Sequence, residues 1–282
     1  MTLTRWLMRF TLLAVFLTYC VIGIGAFTRL SNAGLGCPDW PACYGKLIVS
    51  QPTVGAQINI QKAQIEMGHR YIAGALGAVI LLVAVLTAMI SSDKGRQFLV
   101  YSIGLIALLI YQVLLGMWTV TLKLSPFIVM QHLFVGLAIL SLLCLIYLSL
   151  REKKIAPPRV FVGKKLVAFA WICFLLLFLQ IILGGWTSSH YAGLLYQGIS
   201  AIHRWSALVV SAAFLCLFFC IRMQSTYYLL ALLCVQILLG ALNVIFQLPL
   251  SIAVAHNLTA AAMMLMMVTI IFNLHASRKA MT

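Results

Sequence analysis

Long uninterrupted apolar runs dominate this chain, in place of the alternating or one-faced patterns of a soluble fold. They lie near 8–28, 69–90, 98–119, 127–149, 166–186, 203–221, 227–246 and 252–274. Each is long enough for an α-helix that crosses roughly 30 Å of hydrocarbon, which takes about 20 residues. The pattern predicts an all-α polytopic membrane protein with eight transmembrane helices. Continuous rather than alternating runs exclude a transmembrane β-barrel. Pro38, Pro41, Pro52, Pro126, Pro157, Pro158 and Pro249 fall outside or at the edges of the runs, as helix breakers should. The first run starts behind Arg5 and Arg9 as a signal peptide would, but no small-x-small cleavage site follows. It is read as a retained helix.

Polar residues embedded in these runs recur in order. His69-Arg70-Tyr71 returns as His203-Arg204-Trp205, Gln112-Val113-Leu114-Leu115-Gly116 as Gln236-Ile237-Leu238-Leu239-Gly240, and His132 with Gly136 as His256 with Ala260. Duplication follows: an N-terminal half, 1–150, and a C-terminal half, 166–282, are expected as two pseudosymmetric four-helix bundles joined by a basic linker, 151–165. An even number of helices per half gives both halves one topology, related by a pseudo-two-fold along the membrane normal.

Composition sharpens the class. With 64% hydrophobic and 8% charged residues, a soluble enzyme is excluded. The net charge of +15 is scattered between apolar runs, so lipid headgroups suffice as its partner and no nucleic acid is implied. Thirteen of the nineteen Lys and Arg fall in the N-terminus, the C-terminus and the segments around 91–97, 151–165 and 222–226. The positive-inside rule then puts both termini in the cytoplasm and the long loop 30–68 outside.

Four histidines, His69, His132, His203 and His256, each fall in the first turns of an even-numbered run, at one level near the outer surface. Amphipathic histidines also sit at membrane interfaces without ligating anything. Two per half at equivalent places point instead to ligands. A pair of imidazoles without a carboxylate or thiolate cluster suits the two axial positions of a haem iron, whereas zinc takes four ligands or three plus water. Small residues four positions on (Ala73, Gly136, Ala207, Ala260) leave clearance for a flat ligand, and Gly116 and Gly240 serve the same end or helix packing. Arg70 and Arg204 are candidates for pairing with propionates, or are interfacial anchors.

The halves differ at one acid. Glu66 precedes His69 by three residues and shares its face if the helix reaches that far, while the counterpart Ser200 carries no charge. The Glu66 site reads as reactive and the Ser200 site as an electron carrier. Cys37 and Cys43 enclose Pro38-Asp39-Trp40-Pro41-Ala42 in the outer loop, where a disulfide is chemically permitted. Its role stays open between structure, a lid and redox chemistry. The other six cysteines lie in apolar runs and read as small hydrophobes.

Gly25-Ala26-Phe27-Thr28-Arg29-Leu30, then Gly34-Leu35-Gly36-Cys37-Pro38-Asp39-Trp40-Pro41-Ala42-Cys43 and Glu66-Met67-Gly68-His69-Arg70, closely resemble the haem A synthase family. The likeness covers nearly the whole chain. It implies an eight-helix bacterial inner-membrane enzyme that oxidises the C8 methyl of haem O to the formyl group of haem A, for cytochrome oxidase biogenesis. On this resemblance His69 and His132 match the substrate-haem ligands and Glu66 the catalytic carboxylate. His203 and His256 match the ligands of a haem b cofactor, and Cys37 and Cys43 the outer-loop disulfide pair. Haem O synthase, an electron donor and a homo-oligomer are implied as partners. The loop at roughly 187–202 is short and lacks the second cysteine pair of some members. The rival readings are a dihaem cytochrome b that only carries electrons and a haem-handling protein without catalysis.

Overall fold

The computed structural model describes residues 2–48, 59–151, 163–187 and 198–279. Glu152, Pro157, Pro158 and most of the basic linker lie outside the described residues, as do His190 and most of the loop 187–202. Nine helices run through the described residues: α1 (Thr2–Leu30), α2 (Ile60–Met89), α3 (Ser91–Lys94), α4 (Arg96–Thr121), α5 (Pro126–Leu150), α6 (Lys164–Thr187), α7 (Ile199–Ile221), α8 (Gln224–Ile245) and α9 (Leu250–Lys279). All but the single turn α3 are long and apolar enough to cross a membrane, eight in all. The chain is an all-α integral membrane protein, as the eight apolar runs require.

Helix boundaries follow the runs, with α1 beginning earlier, at Thr2, and α9 running on to Lys279, and one further departure is consequential. Helix α2 begins at Ile60 rather than near 69. Asn59 caps it, its side-chain oxygen accepting the Lys62 N–H at 3.1 Å. Ala63 and Met67, one turn apart, pack with Cys37 and Cys43 in a small buried cluster against which Tyr44 lies. A polar stretch is therefore helical because a loop, not lipid, covers one of its faces. Hydropathy alone cannot detect that.

Two compact units divide the chain, Met1–Tyr147 and Leu148–Thr282. In the first, α1 packs on α2 and α2 on α4, while Gly104 and Gly116 of α4 face Leu142 and His132 of α5. In the second, α6 packs on α7, α7 on α8, α8 on α9 and α9 back on α6. Several buried hydroxyls are satisfied within or between helices, as a medium without water favours. Thr11, Thr18 and Thr87 donate to carbonyls four residues back, and Ser102 of α4 donates to Ala84 O of α2 at 2.8 Å. Thr2–Leu30, Arg96–Thr121 and their counterparts keep large apolar side chains such as Phe16, Ile103 and Ile172 exposed, as lipid-facing surfaces do.

Tight turns repeat as well. Lys123 and Leu124 follow α4 with φ of 50° and 57°, and Gln247 and Leu248 follow α8 with φ of 55° and 64°. In each turn the second residue returns its N–H at 2.8 Å, Leu124 to Thr119 O and Leu248 to Asn243 O. A proline at or next to the start then launches α5 and α9.

Candidate functional site

In the first unit, His69 lies in the third turn of α2, deeper than a helix starting near 69 implies, and His132 in the second turn of α5. Each ring is seated against a glycine of a neighbouring helix. A Cβ on Gly25 of α1 would come 3.2 Å from His69 Cε1, and one on Gly116 of α4 would come 3.4 Å from His132 Cε1. The two rings lie within electrostatic reach of each other. Nδ1 of both is buried without a hydrogen-bond partner. Gly136, expected to leave clearance for a ligand, instead faces the Gln112 amide, whose Nε2 would lie 3.4 Å from an added Cβ.

Because α2 extends back to Ile60, Glu66 and His69 do share a helix face, with Glu66 one turn towards the loop 31–48. Glu66 is buried, and both oxygens are held: Oε2 accepts the Cys37 N–H at 2.9 Å and Oε1 accepts from Arg70 Nη2 at 2.5 Å. Arg70 Nη1 also donates to the carbonyl oxygens of Ala42 (2.8 Å), Asp39 (2.9 Å) and Pro41 (3.3 Å). The guanidinium expected to face a propionate is thus occupied in fastening the loop to α2. Cys37 and Cys43 are joined by a disulfide with Cα atoms 4.8 Å apart, both fully buried. Gly36 makes the approach possible, since a Cβ there would fall 2.4 Å from the Lys62 carbonyl carbon.

Asp39 closes the loop by accepting the N–H groups of Tyr44 (2.6 Å) and Gly45 (2.8 Å). Desolvation pushes its pKa up, but these N–H donors and the nearby Arg70 outweigh it and hold the carboxyl below its usual range. Tyr71 OH donates to Leu47 O, a further tie between loop and helix.

The second unit repeats the seats without the carboxylate. Gly184 of α6 backs His203 so closely that a Cβ would lie 2.9 Å from Cε1, and Gly240 of α8 backs His256 at 3.3 Å. These rings too lie within electrostatic reach of each other. Gln180 Nε2 stands 3.1 Å from His203 Nδ1 and donates to His203 O at 2.8 Å, while its Oε1 accepts from Ser206 Oγ at 2.6 Å. Gln236 Nε2 stands 3.2 Å from His256 Nε2, and His256 Nδ1 is buried without a partner. Ser200 and Arg204 are exposed at the start of α7.

The structure thus brings His69 and His132 into one unit with Glu66, and His203 and His256 into the other. What sequence reasoning missed are the glycine backstops Gly25 and Gly184 and the amides beside the imidazoles. A signal existed: Gln-x-x-x-Gly occurs at 112–116, 180–184 and 236–240, on α4, α6 and α8. Glutamine and glycine one turn apart put an amide and a ring-sized gap on one helix face. Chemically, each unit offers two imidazoles, a donor set that fits the axial positions of a porphyrin iron. Among the described residues no three His, Cys, Asp or Glu side chains converge to hold a bare metal ion.

Known proteins resemble this chain over most of its length. The COX15-CtaA family, described as cytochrome oxidase assembly protein, matches residues 8–201 and 197–268. A haem A synthase of Shewanella oneidensis is 36% identical, with 94% of this chain and 94% of that protein covered. One of Wolbachia pipientis is 23% identical over 90% of this chain and 92% of its own length. One of Lysinibacillus sphaericus is 30% identical over 50% of this chain and 42% of its own. The chain belongs to the COX15-CtaA family of cytochrome oxidase assembly proteins.

Proposed function

We propose that this protein is a haem A synthase, an enzyme that oxidises the C8 methyl of haem O to a formyl group. In this reading His69 and His132 hold haem O as substrate, and His203 and His256 hold a haem b cofactor. When bound, the haem b supplies one-electron transfer. Arg204, exposed beside His203, is the propionate partner there. The loop end of the first unit faces outward from a bacterial inner membrane, with both termini cytoplasmic, as the distribution of Lys and Arg supports.

The observation that carries the proposal is the difference between two similar sites. Both seat paired imidazoles on glycine, but among the described residues only the first has a buried carboxylate, pinned one turn from an imidazole by an N–H and a guanidinium. Electron transfer between two haems requires no such acid. Methyl oxidation has one. Two successive hydroxylations give a gem-diol, which loses water to the aldehyde. With water as the oxygen source, each hydroxylation breaks one C–H bond, forms one C–O bond and releases two protons and two electrons, the electrons passing one at a time to an external acceptor, while positive charge develops at the methyl carbon. Glu66, fixed rather than free to rotate, is placed to offset that charge or to accept the proton. His69 and His132 would hold the iron and so set the level of the ring relative to that carboxylate.

The test is expression with a source of haem O, followed by extraction and chromatography of the haems. Wild type is expected to yield haem A. Glu66→Gln is expected to retain bound haem and stop before the aldehyde, with conversion down by about 100-fold or more. If wild type and variant both yield only haem b, the protein is a dihaem cytochrome and the enzyme reading falls.

A further inference from the structure

We propose that Arg29, at the end of α1, binds a carboxylate of the ligand held between His69 and His132, and so fixes which edge of that ligand turns towards the loop. The proposal rests on the haem O reading of the first site, since a haem carries two propionates on one edge. Its geometric basis is independent of that reading. Gly25 and Arg29 are one turn apart on one face of α1, and Gly25 is the residue against which the His69 ring is seated. The helix advances towards the loop 31–48, so Arg29 stands about 5–6 Å beyond the ring on the loop side.

The Arg29 side chain is half-buried, and its Nε is fully buried with no hydrogen-bond partner. Among the described residues, the acids are bound or stand elsewhere. Glu66 accepts from Arg70 and the Cys37 N–H, and Asp39 from Tyr44 and Gly45. Asp93 stands at the opposite end of α2, and Glu152 lies outside the described residues. Burying part of a guanidinium without an anion is unfavourable to the protein alone. The arrangement becomes favourable once a ligand brings a carboxylate, which the planar guanidinium meets with two parallel hydrogen bonds. Arg70 cannot take this role without releasing Glu66 and the carbonyls of Asp39 and Ala42.

The sequence of the second unit places no arginine at the equivalent position. Gly184 takes the place of Gly25 behind His203, and the residue four further along is Ser188. Anion binding from this position is therefore confined to the first site, where a ligand must enter and leave in one orientation.

The experiment uses the full-length purified protein in detergent, titrated by difference absorbance with haem O and with its propionate dimethyl ester. His69→Ala identifies the part of each titration that belongs to the first site. Wild type is expected to bind the free acid about tenfold or more tightly than the ester. Arg29→Gln is expected to abolish that preference and leave ester binding unchanged, with Arg29→Lys retaining part of it. Ligand-free Arg29→Gln is expected to melt no lower than wild type, because the replaced cation has no partner to lose. A full preference for the free acid in Arg29→Gln, with His69-dependent binding intact, overturns the proposal and leaves the haem O reading standing. So does equal binding of acid and ester by wild type. Titrations indifferent to His69→Ala overturn both. A drop in ligand-free melting temperature on Arg29→Gln that Arg29→Lys restores marks Arg29 as structural and also overturns the proposal.

Discussion

At the scale of single residues, the four imidazoles are positioned by what is missing behind them. A glycine on the adjacent helix leaves space for each ring, and the space is not uniform: 2.9 Å at Gly184, 3.2 Å at Gly25, 3.3 Å at Gly240 and 3.4 Å at Gly116. Ordinary van der Waals contact begins near the last of these values, so an added methyl is tolerated at Gly116 and pushes the ring at Gly184. His203 has little freedom to yield, because the Gln180 amide holds its Nδ1 and its backbone carbonyl together. Overpacking of this kind costs about 1–3 kcal/mol. Gly184→Ala is thus expected to lower haem affinity of the second unit by about 10- to 100-fold, and Gly116→Ala to change that of the first by less than about threefold. Pyridine haemochrome spectra on each purified variant give haem per protein directly. Equal losses from the two substitutions would show that the glycines serve helix packing and not the rings.

At the scale of elements, the spans were legible because lipid imposes one simple rule, a continuous apolar run, and every long helix obeys it. The start of α2 was not, because Gln61, Lys62, Gln64 and Glu66 break that rule and the helix there is covered by the loop and capped by Asn59. The turns after α4 and α8 were equally hidden. Nothing in Lys123-Leu124 or Gln247-Leu248 announces two successive left-handed residues, a geometry that favours glycine. The turn exists because its N–H groups close on Thr119 O and Asn243 O and the next helix begins at once. Non-glycine residues in this region cost roughly 1–2 kcal/mol each. Gln247 is exposed, so Gln247→Gly removes strain without losing packing. It is expected to stabilise the protein by about 0.5–1 kcal/mol after the added unfolded-state freedom of glycine is counted. The check is the midpoint of thermal unfolding in detergent, which should rise; a fall would show that the Gln247 side chain contributes to the turn.

At the scale of the whole molecule, the internal repeat could be read from sequence because the same side chains recur in the same order. The asymmetry was legible only as one letter, Glu66 against Ser200. Its physical content lay in the contacts, since neither the Cys37 N–H nor the three loop carbonyls on Arg70 are predictable from residue types. All of these contacts belong to the first unit, Met1–Tyr147, and the stretch 188–197 of the second carries no cysteine. The Cys37–Cys43 bond closes a loop of sequence separation 6, for which chain entropy gives a stabilisation of about 2 kcal/mol. Opening it frees the backbone that presents the Cys37 N–H to Glu66 and the Asp39 and Ala42 carbonyls to Arg70. Displacing a reacting group by about 1 Å is enough to cost about 100-fold in rate. The double variant Cys37→Ser/Cys43→Ser is therefore expected to lose conversion of haem O by about tenfold or more. Its second-unit imidazole–haem spectrum should be unchanged, since neither Gln180 nor Gln236 depends on that loop. Haem chromatography and low-temperature absorption on the same preparation separate the two readouts. If both fall together, the loop stabilises the chain as a whole; if conversion persists undiminished, Glu66 is held well enough by Arg70 alone and the loop is dispensable to it.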